Sequence, residues 1–487
     1  MLDQDPRSLL ERLEAHRQGG YLSLHMPGHK ENTALAPYLA QLGAQWDITE
    51  LPGFDDLHDP EGILAQAMDR AARLFGSRKS WLQVNGSTGG LLAAVRAATR
   101  RGDTVLVARH CHKAIYHALE LCGLTPVFLQ APVVEGLGIT GSLTPDQVAQ
   151  ALAAHPEARF LVYPSPTYDG VVSDTAGICA VAHAQGVPVL VDEAHGAHLG
   201  LHPAFPANAM ALGADLAVAS LHKTLPSLTQ TALLHASGQR VPLPQVARQT
   251  GIFQSSSPSY LLMASMDSCL RLLEDQGEAL CAAWARRLAE FDRQIQGLRH
   301  LRCPGHGAAA GEAIPGVFAW DPTKILISTR DSALTGVELK DRLRADYHIE
   351  VEMALDHYAV AMTGLGNGDD MPSRLAQALL ALDREAGPRQ GEPLPPAEPY
   401  TLPPRKLGLE EAAMGPGGLT FLYDAMGKVS GEYIWAYPPG IPLVTPGEEI
   451  TVDLVETVER LYQAGVRLIG TRGKPPFTTF ALGESQP

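Results

Sequence analysis

Five short apolar runs alternating with helix-like stretches constrain this chain more than any other feature. The runs are "DTVLVAR" (Asp103–Arg109), "PVFLQ" (Pro126–Gln130), "RFLVYP" (Arg159–Pro164), "PVLVDEA" (Pro188–Ala194) and "DLAVAS" (Asp215–Ser220). Between them lie stretches such as "TPDQVAQALAAH" (Thr144–His155) and "TAGICAVAHAQG" (Thr175–Gly186), the second closed by a glycine of the kind that ends helices. A strand that is apolar on both faces must be covered on both faces. Strands of that kind joined by helices build a mainly parallel sheet between helical layers. The chain therefore reads as an α/β protein with one large sheet-bearing domain. In open sheets of this type ligands bind at the carboxyl ends of the strands, so the residues just past each run matter most.

At 487 residues, two or three domains are expected at roughly 100–200 residues each. Residues 1–60 read as an N-terminal helix and arm, with Leu9, Leu10 and Leu13 on one face of a helix over 8–17. Residues 61–305 are expected to form the large domain. A Gly/Ala-rich stretch from Gly305 to Gly316 marks a boundary. Residues 306–390 then read as a small α/β domain, with "TKILIST" (Thr323–Thr329) as a strand and "SRLAQALLALDREAG" (Ser373–Gly387) as a helix. Residues 391–487 read as a connector and a C-terminal α+β domain. Seven prolines between Pro388 and Pro404 cannot continue a helix and suit an extended link. Beyond them a helix from about Thr451 places Leu454, Val458 and Leu461 on one side.

A formal net charge of −15 argues against nonspecific binding to nucleic acid or to an anionic membrane, since both reward clustered Lys and Arg. It suits a small basic substrate. The six cysteines form no C-x-x-C pair, so neither a zinc ribbon nor a disulfide framework is indicated. The N-terminus, "MLDQDPRSLLERLEAHRQ", has no apolar signal segment. No stretch reaches the roughly 18 apolar residues of a membrane span. The cytoplasm is the expected location.

Three polar clusters fall at the ends of apolar runs or at the mouth of a helix. The first, "NGSTGGLLAAVRAA" (Asn85–Ala98), is a Gly/Ser/Thr turn entering a helix. Amides at a helix N-terminus attract anions and glycines let a phosphate approach, although a plain capped turn would look the same. It is neither a dinucleotide fingerprint nor a Walker loop. The second is Asp192-Glu193-Ala194-His195, an acid at the end of a buried strand, which costs desolvation unless a cation or strong donor meets it. The third is Ser220-Leu221-His222-Lys223, where the lysine is either the first solvated residue after a strand or an amine aimed at a ligand. His110 and His112 follow the first run. The "HCH" and "HGAH" spacings lack the i, i+4 pair and the glutamate of the zincins, so no metal is expected.

One ligand uses all three clusters. Pyridoxal phosphate needs a helix N-terminus for its phosphate, a carboxylate to keep its ring nitrogen protonated, and a lysine amine for its aldehyde. The motifs "LHMPGHK", "NGSTGG", "RHCHK", "PTYDG", "VDEAHGAH", "SLHKTL", "SSSPSYLLMASMD" and "YPPGIPLVTPGE" also resemble the Orn/Lys/Arg decarboxylases, from about residue 20 to 475. The likeness is greater to the short arginine decarboxylases of Gram-positive bacteria, because the N-terminal receiver-like domain of the long forms is missing.

That resemblance implies a fold-type-I, aminotransferase-like large domain with a smaller α+β C-terminal part. It implies that Lys223 holds the cofactor covalently, Asp192 pairs with the pyridine nitrogen, and His112 and Ala194 pack on opposite ring faces. Ser87, Thr88 and Gly89 would bind the phosphate with Ser220 and His222. His195 would lie near the phenolic oxygen or the substrate carboxylate. Family enzymes are dimers or larger with interfacial active sites, so the Ser255-Ser256-Ser257 loop, Ser256 in particular, would reach the partner's phosphate.

A basic amino acid is the expected substrate, arginine before lysine and ornithine. Its far end wants a carboxylate. Glu432 matches the family position near which the distal group binds. Asp55 and Asp56 in "GFDDLHDP", which could equally be a solvated turn, and Tyr168 in "PTYDG" are further candidates. The alternative on the same scaffold is an aminotransferase or an aldolase-type lyase, which usually places an arginine in the small domain for the α-carboxylate.

Overall fold

A computed structural model describes residues 5–391, 401–437, 440–463 and 465–483. Most of the proline-rich connector, and Pro438 and Pro439 of the "YPPGIP" turn, lie outside the described residues. The chain forms two compact units. One comprises Met1–Ala98, Pro188–Trp284 and Gly364–Gly366; the other comprises Thr99–Val187, Ala285–Thr363 and Asn367–Pro487.

The first unit carries four adjacent strands in the order Lys79–Gln83, Ala232–Ala236, Leu216–Ala219, Val189–Asp192. The last two are parallel, with Asp192 opposite Val218. The other neighbours are antiparallel, with Gln83 opposite Ala232 and Leu233 opposite Ala219. Two of these strands escape a reading for apolar runs, because "KSWLQ" and "ALLHA" carry polar residues that a buried strand should not. Ser80 and His235 face each other across the pair and bond to one another, Oγ to Nδ1, at 2.7 Å with both side chains out of solvent. The Ser80 hydroxyl and one ring nitrogen of His235 thus meet each other, which lowers the cost of burying the strands.

The second unit holds the remaining expected strands. Thr104–Ala108 lies between Thr125–Leu129 and Phe160–Pro164, parallel to both. A three-stranded antiparallel sheet follows, Lys324–Ser328, Tyr358–Met362 and Met353–Leu355, with the helices Gly336–Tyr347 and Met371–Ala386. Further on, Ile434–Tyr437 pairs on either side with Ile441–Val444 and Arg467–Gly470. The helix Val452–Gln463 sends Leu454, Val455 and Val458 into a core shared with Ile434, Val444 and Ile450, and Leu461 packs at its edge.

The N-terminal helix runs from Leu9 to Gln18 behind a Ser8–Glu11 capping box. Leu9 and Leu13 are buried, but Leu10 is 39% exposed. At about 100° per residue, Leu10 points away from the face that the i, i+4 pair shares. Arg12 is buried there instead, its guanidinium held by the carbonyls of Asp5 and Gly53.

Candidate active site

In the first unit the helix Gly86–Ala98 starts three residues after the strand Lys79–Gln83. The backbone between them is clamped by amide side chains. Val84 N–H donates to Gln254 Oε1 (2.7 Å), Gln230 Nε2 donates to Val84 O (2.6 Å), and Asn85 Nδ2 donates to Phe253 O (3.0 Å). Gly86 has φ +68°, a left-handed turn that favours glycine. Gly89 N–H donates to Asn85 O at 3.2 Å, so it closes the first helical bond and is not a free donor. The first-turn amides of Gly86, Ser87 and Thr88 precede that bond, as helix N-termini require. Gly89 and Gly90 are there for close packing. A Cβ at Gly89 would come within 3.0 Å of Asn85 Cβ and 3.3 Å of Phe253 O, and one at Gly90 within 3.1 Å of Val218 Cγ1. Ser220 Oγ donates to Ser87 Oγ at 3.0 Å, which joins the mouth of this helix to the residue preceding the lysine turn.

Asp192 ends the strand Val189–Asp192 and is 4% exposed. Burial pushes its carboxyl pKa up, while the Lys223 charge and the Ala194 amide (3.2 Å) work against that rise. Next in the sheet, Leu216–Ala219 leads through Ser220 into a single helical turn, Leu221–Thr224, which carries Lys223. Lys223 Nζ donates to His195 Nε2 at 2.8 Å, since an ammonium has no lone pair to offer. His222 Nδ1–H donates to Thr231 O at 2.9 Å. Burial lowers its pKa, so the imidazole is held neutral with Nε2 facing away from that carbonyl. Ala194 is buried beside Asp192. Lys223, His195, Asp192, Ser220 and Ser87 thus form one cluster around the ends of two parallel strands.

Three other expected residues of this unit stand elsewhere. Ser256 is exposed in a loop whose Ser255 carbonyl is held by His58 Nε2 at 2.8 Å. Asp55 is engaged as a helix cap. One of its oxygens accepts from the amides of Asp56 (3.0 Å) and Glu61 (2.9 Å), the other from Gly62 (2.8 Å) and Leu64 (2.9 Å) at the start of the helix Ile63–Phe75. Asp56 accepts from His58 N–H at 2.8 Å in a tight turn.

In the second unit, His112 is the N-cap of the helix Lys113–Cys122, its Nδ1 accepting from Ala114 N–H at 3.2 Å. Tyr168 donates its hydroxyl to Glu352, an acid the sequence reading did not single out. Glu432 is 1% exposed and all its acceptor capacity is used. Oε2 accepts from Arg472 N (2.7 Å) and Gly473 N (2.8 Å), and Oε1 from Phe480 N (2.6 Å) and Thr479 Oγ1 (2.9 Å). A side chain at 473 would bring its Cβ within 2.6 Å of Oε1. Glu432 is occupied in holding the 470–480 turn, not poised to meet a ligand.

The model for "Orn/Lys/Arg decarboxylase, major domain" matches residues 8–307. The chain is 31% identical to an arginine decarboxylase of Bacillus anthracis across 100% of this chain and 99% of that one.

The chain belongs to the Orn/Lys/Arg decarboxylase family.

A second arginine decarboxylase, from Bacillus subtilis (strain 168), is 31% identical over 96% of both chains. Among solved structures, a lysine decarboxylase of Francisella novicida superposes with a TM-score of 0.82 at 18% identity, over 98% of this chain and 81% of that one. The fold is therefore that of the fold-type-I pyridoxal-phosphate enzymes, and the chain is a pyridoxal-phosphate-dependent amino acid decarboxylase. The decarboxylase's own residues fit that cofactor. A buried acid bonded to one neutral amide is the partner a protonated ring nitrogen needs, and the first-turn amides of Gly86, Ser87 and Thr88 are the kind of donors a phosphate takes.

Proposed function

We propose that this decarboxylase removes CO2 from L-arginine to leave agmatine, lysine and ornithine being the alternative substrates. What carries the reading is Lys223 bonded to His195 in the same cluster as buried Asp192. The end-to-end likeness to arginine decarboxylases supports the choice of substrate.

Lys223 would hold the cofactor aldehyde, Asp192 the ring nitrogen, and Gly86, Ser87 and Thr88 the phosphate, with the Ser220 hydroxyl alongside. When bound, pyridoxal phosphate supplies an acceptor for the electron pair left on the substrate Cα when CO2 departs. His195, as acceptor for Lys223 Nζ, takes a proton from the ammonium and leaves a neutral amine able to act as nucleophile. Asp192 stays ionised beside a positive charge and keeps the proton on the ring nitrogen. Once CO2 has left, Lys223 returns a proton to Cα, since the one proton of neutral His222 is committed to the Thr231 carbonyl.

Large apolar side chains of the N-terminal arm face water in a single chain: Tyr21 is 71% exposed, Leu22 82%, Leu24 84% and Leu35 82%. Such a stretch is costly unless covered. A second copy of the chain is the proposed cover, making the enzyme a homodimer or larger, with the exposed Ser255–Ser257 loop directed to the neighbouring active site.

The test is chromatographic analysis of products and CO2 from arginine, lysine and ornithine with added pyridoxal phosphate. Agmatine from arginine at the highest kcat/KM is expected, and a keto acid product would overturn the reading. Lys223→Ala should lose both turnover and the visible colour of the bound cofactor.

A further inference from the structure

The strand bearing Asp192 and the strand leading to Lys223 are neighbours, yet residues 193–215 between them contain no regular helix. Whatever fixes that crossover fixes the two ends of the cofactor relative to each other. Two acids span it. At its far end Asp215 is bonded to Val189 in both directions, Asp215 N–H to Val189 O (3.1 Å) and Val189 N–H to Asp215 Oδ2 (2.9 Å). At its near end Glu193, 2% exposed, accepts the Ala209 N–H at 2.8 Å through Oε1. Ala209 in turn accepts the Ala214 N–H through its carbonyl at 3.0 Å. A continuous hydrogen-bonded path therefore runs from the residue after Asp192 to the residue before Asp215.

No cation pairs with Glu193 among the described residues, and the charged group acting on it is Asp192, its immediate neighbour in sequence. A buried carboxylate without a cation and beside a like charge is poorly tolerated as an anion. The loss of solvent, with Asp192 adding to it, pushes the Glu193 carboxyl up to about 8, against the pull of the Ala209 amide.

We propose that Glu193 is a positioning residue of the decarboxylase: as an uncharged acid bonded to Ala209 it ties the crossover between Asp192 and Lys223. The inference rests on Lys223 and Asp192 holding the two ends of the cofactor. Ionisation would add a second negative charge next to Asp192 in a site shut off from water, which burial opposes.

The test uses the cofactor-free full chain and Glu193→Gln, which keeps the acceptor oxygen but cannot ionise. Infrared difference spectroscopy should show a protonated carboxylic acid band at neutral pH that is missing from Glu193→Gln. The melting midpoint of the wild type should fall from about pH 4.5, where the unfolded carboxyl ionises, to about pH 8, where the folded one does, and that fall should be flattened in Glu193→Gln. Glu193→Ala, which lacks the acceptor, should bind pyridoxal phosphate about tenfold more weakly at every pH, and Glu193→Gln should restore the affinity. An unchanged infrared difference, or an equal pH dependence in wild type and Glu193→Gln, overturns the proposal. Failure of the Lys223 assignment reads differently: cofactor colour would persist in Lys223→Ala while the infrared result stood.

Discussion

Replacing Glu432 with glutamine separates two roles that the sequence leaves confounded. If Glu432 met the substrate's distal cation, the change would raise KM and leave the fold intact. The structure demands the reverse. Four donors converge on the carboxylate at 2.6–2.9 Å, two on each oxygen. With its NH2 group toward Thr479 and Phe480, a glutamine keeps the pair on the other oxygen, and the Thr479 hydroxyl can turn to accept. The NH2 group then meets the Phe480 N–H, hydrogen against hydrogen. A bond to a charged acceptor contributes about 1.5–3 kcal/mol, which is the cost of that loss. The two that remain weaken as the acceptor becomes neutral. Relief is limited, because Gly470 and Gly473 crowd the carboxylate and a Cβ at either would lie within 3.0 Å of its oxygens. Against a net stability of about 5–15 kcal/mol, that is a large fraction of the margin. Urea denaturation of Glu432→Gln should show a loss of about 1.5–3 kcal/mol, while the folded fraction retains a KM for arginine within about twofold. Unchanged stability with KM raised by about tenfold or more, equivalent to about 1.4 kcal/mol of lost binding, would refute the reasoning and return Glu432 to the substrate.

Two further outcomes follow from the first unit. Gly89→Ala should gain about 1 kcal/mol of helix propensity and lose more than that, about 1–3 kcal/mol, to overlap with Asn85 and the Phe253 carbonyl; titration with pyridoxal phosphate should show weaker binding, and unchanged affinity would count against the cradle. His235 is buried neutral, with burial bringing its pKa down to about 3. The unfolded chain takes up that proton near its ordinary value of 6.5, so stability from this site is present above that pH and is lost as the pH falls toward 3, by up to about 1.4 kcal/mol per unit. Denaturation series at several pH values should show that acid slope reduced in His235→Gln.

The periodic alternation of apolar runs and helical stretches sufficed to place five strands, because a buried parallel strand has to be apolar on both faces. That Lys223, Asp192, Ser220 and Ser87 would come together was legible for a related reason: residues just past such strands collect at one edge of the sheet. Three-dimensional pairing decided the rest. Whether "KSWLQ" and "ALLHA" could be strands depended on Ser80 meeting His235, 155 residues away. Whether Asp55 and Glu432 were free for a substrate depended on where backbone N–H groups from other turns converged. A carboxylate looks the same in sequence whether it awaits a cation or already caps a helix, since hydrogen-bond donors of the main chain are present at nearly every position and only folding brings particular ones together. Glu193 shows the same limit: its motif was visible, but its lack of a cation and its tie to Ala209 exist only once the crossover is folded.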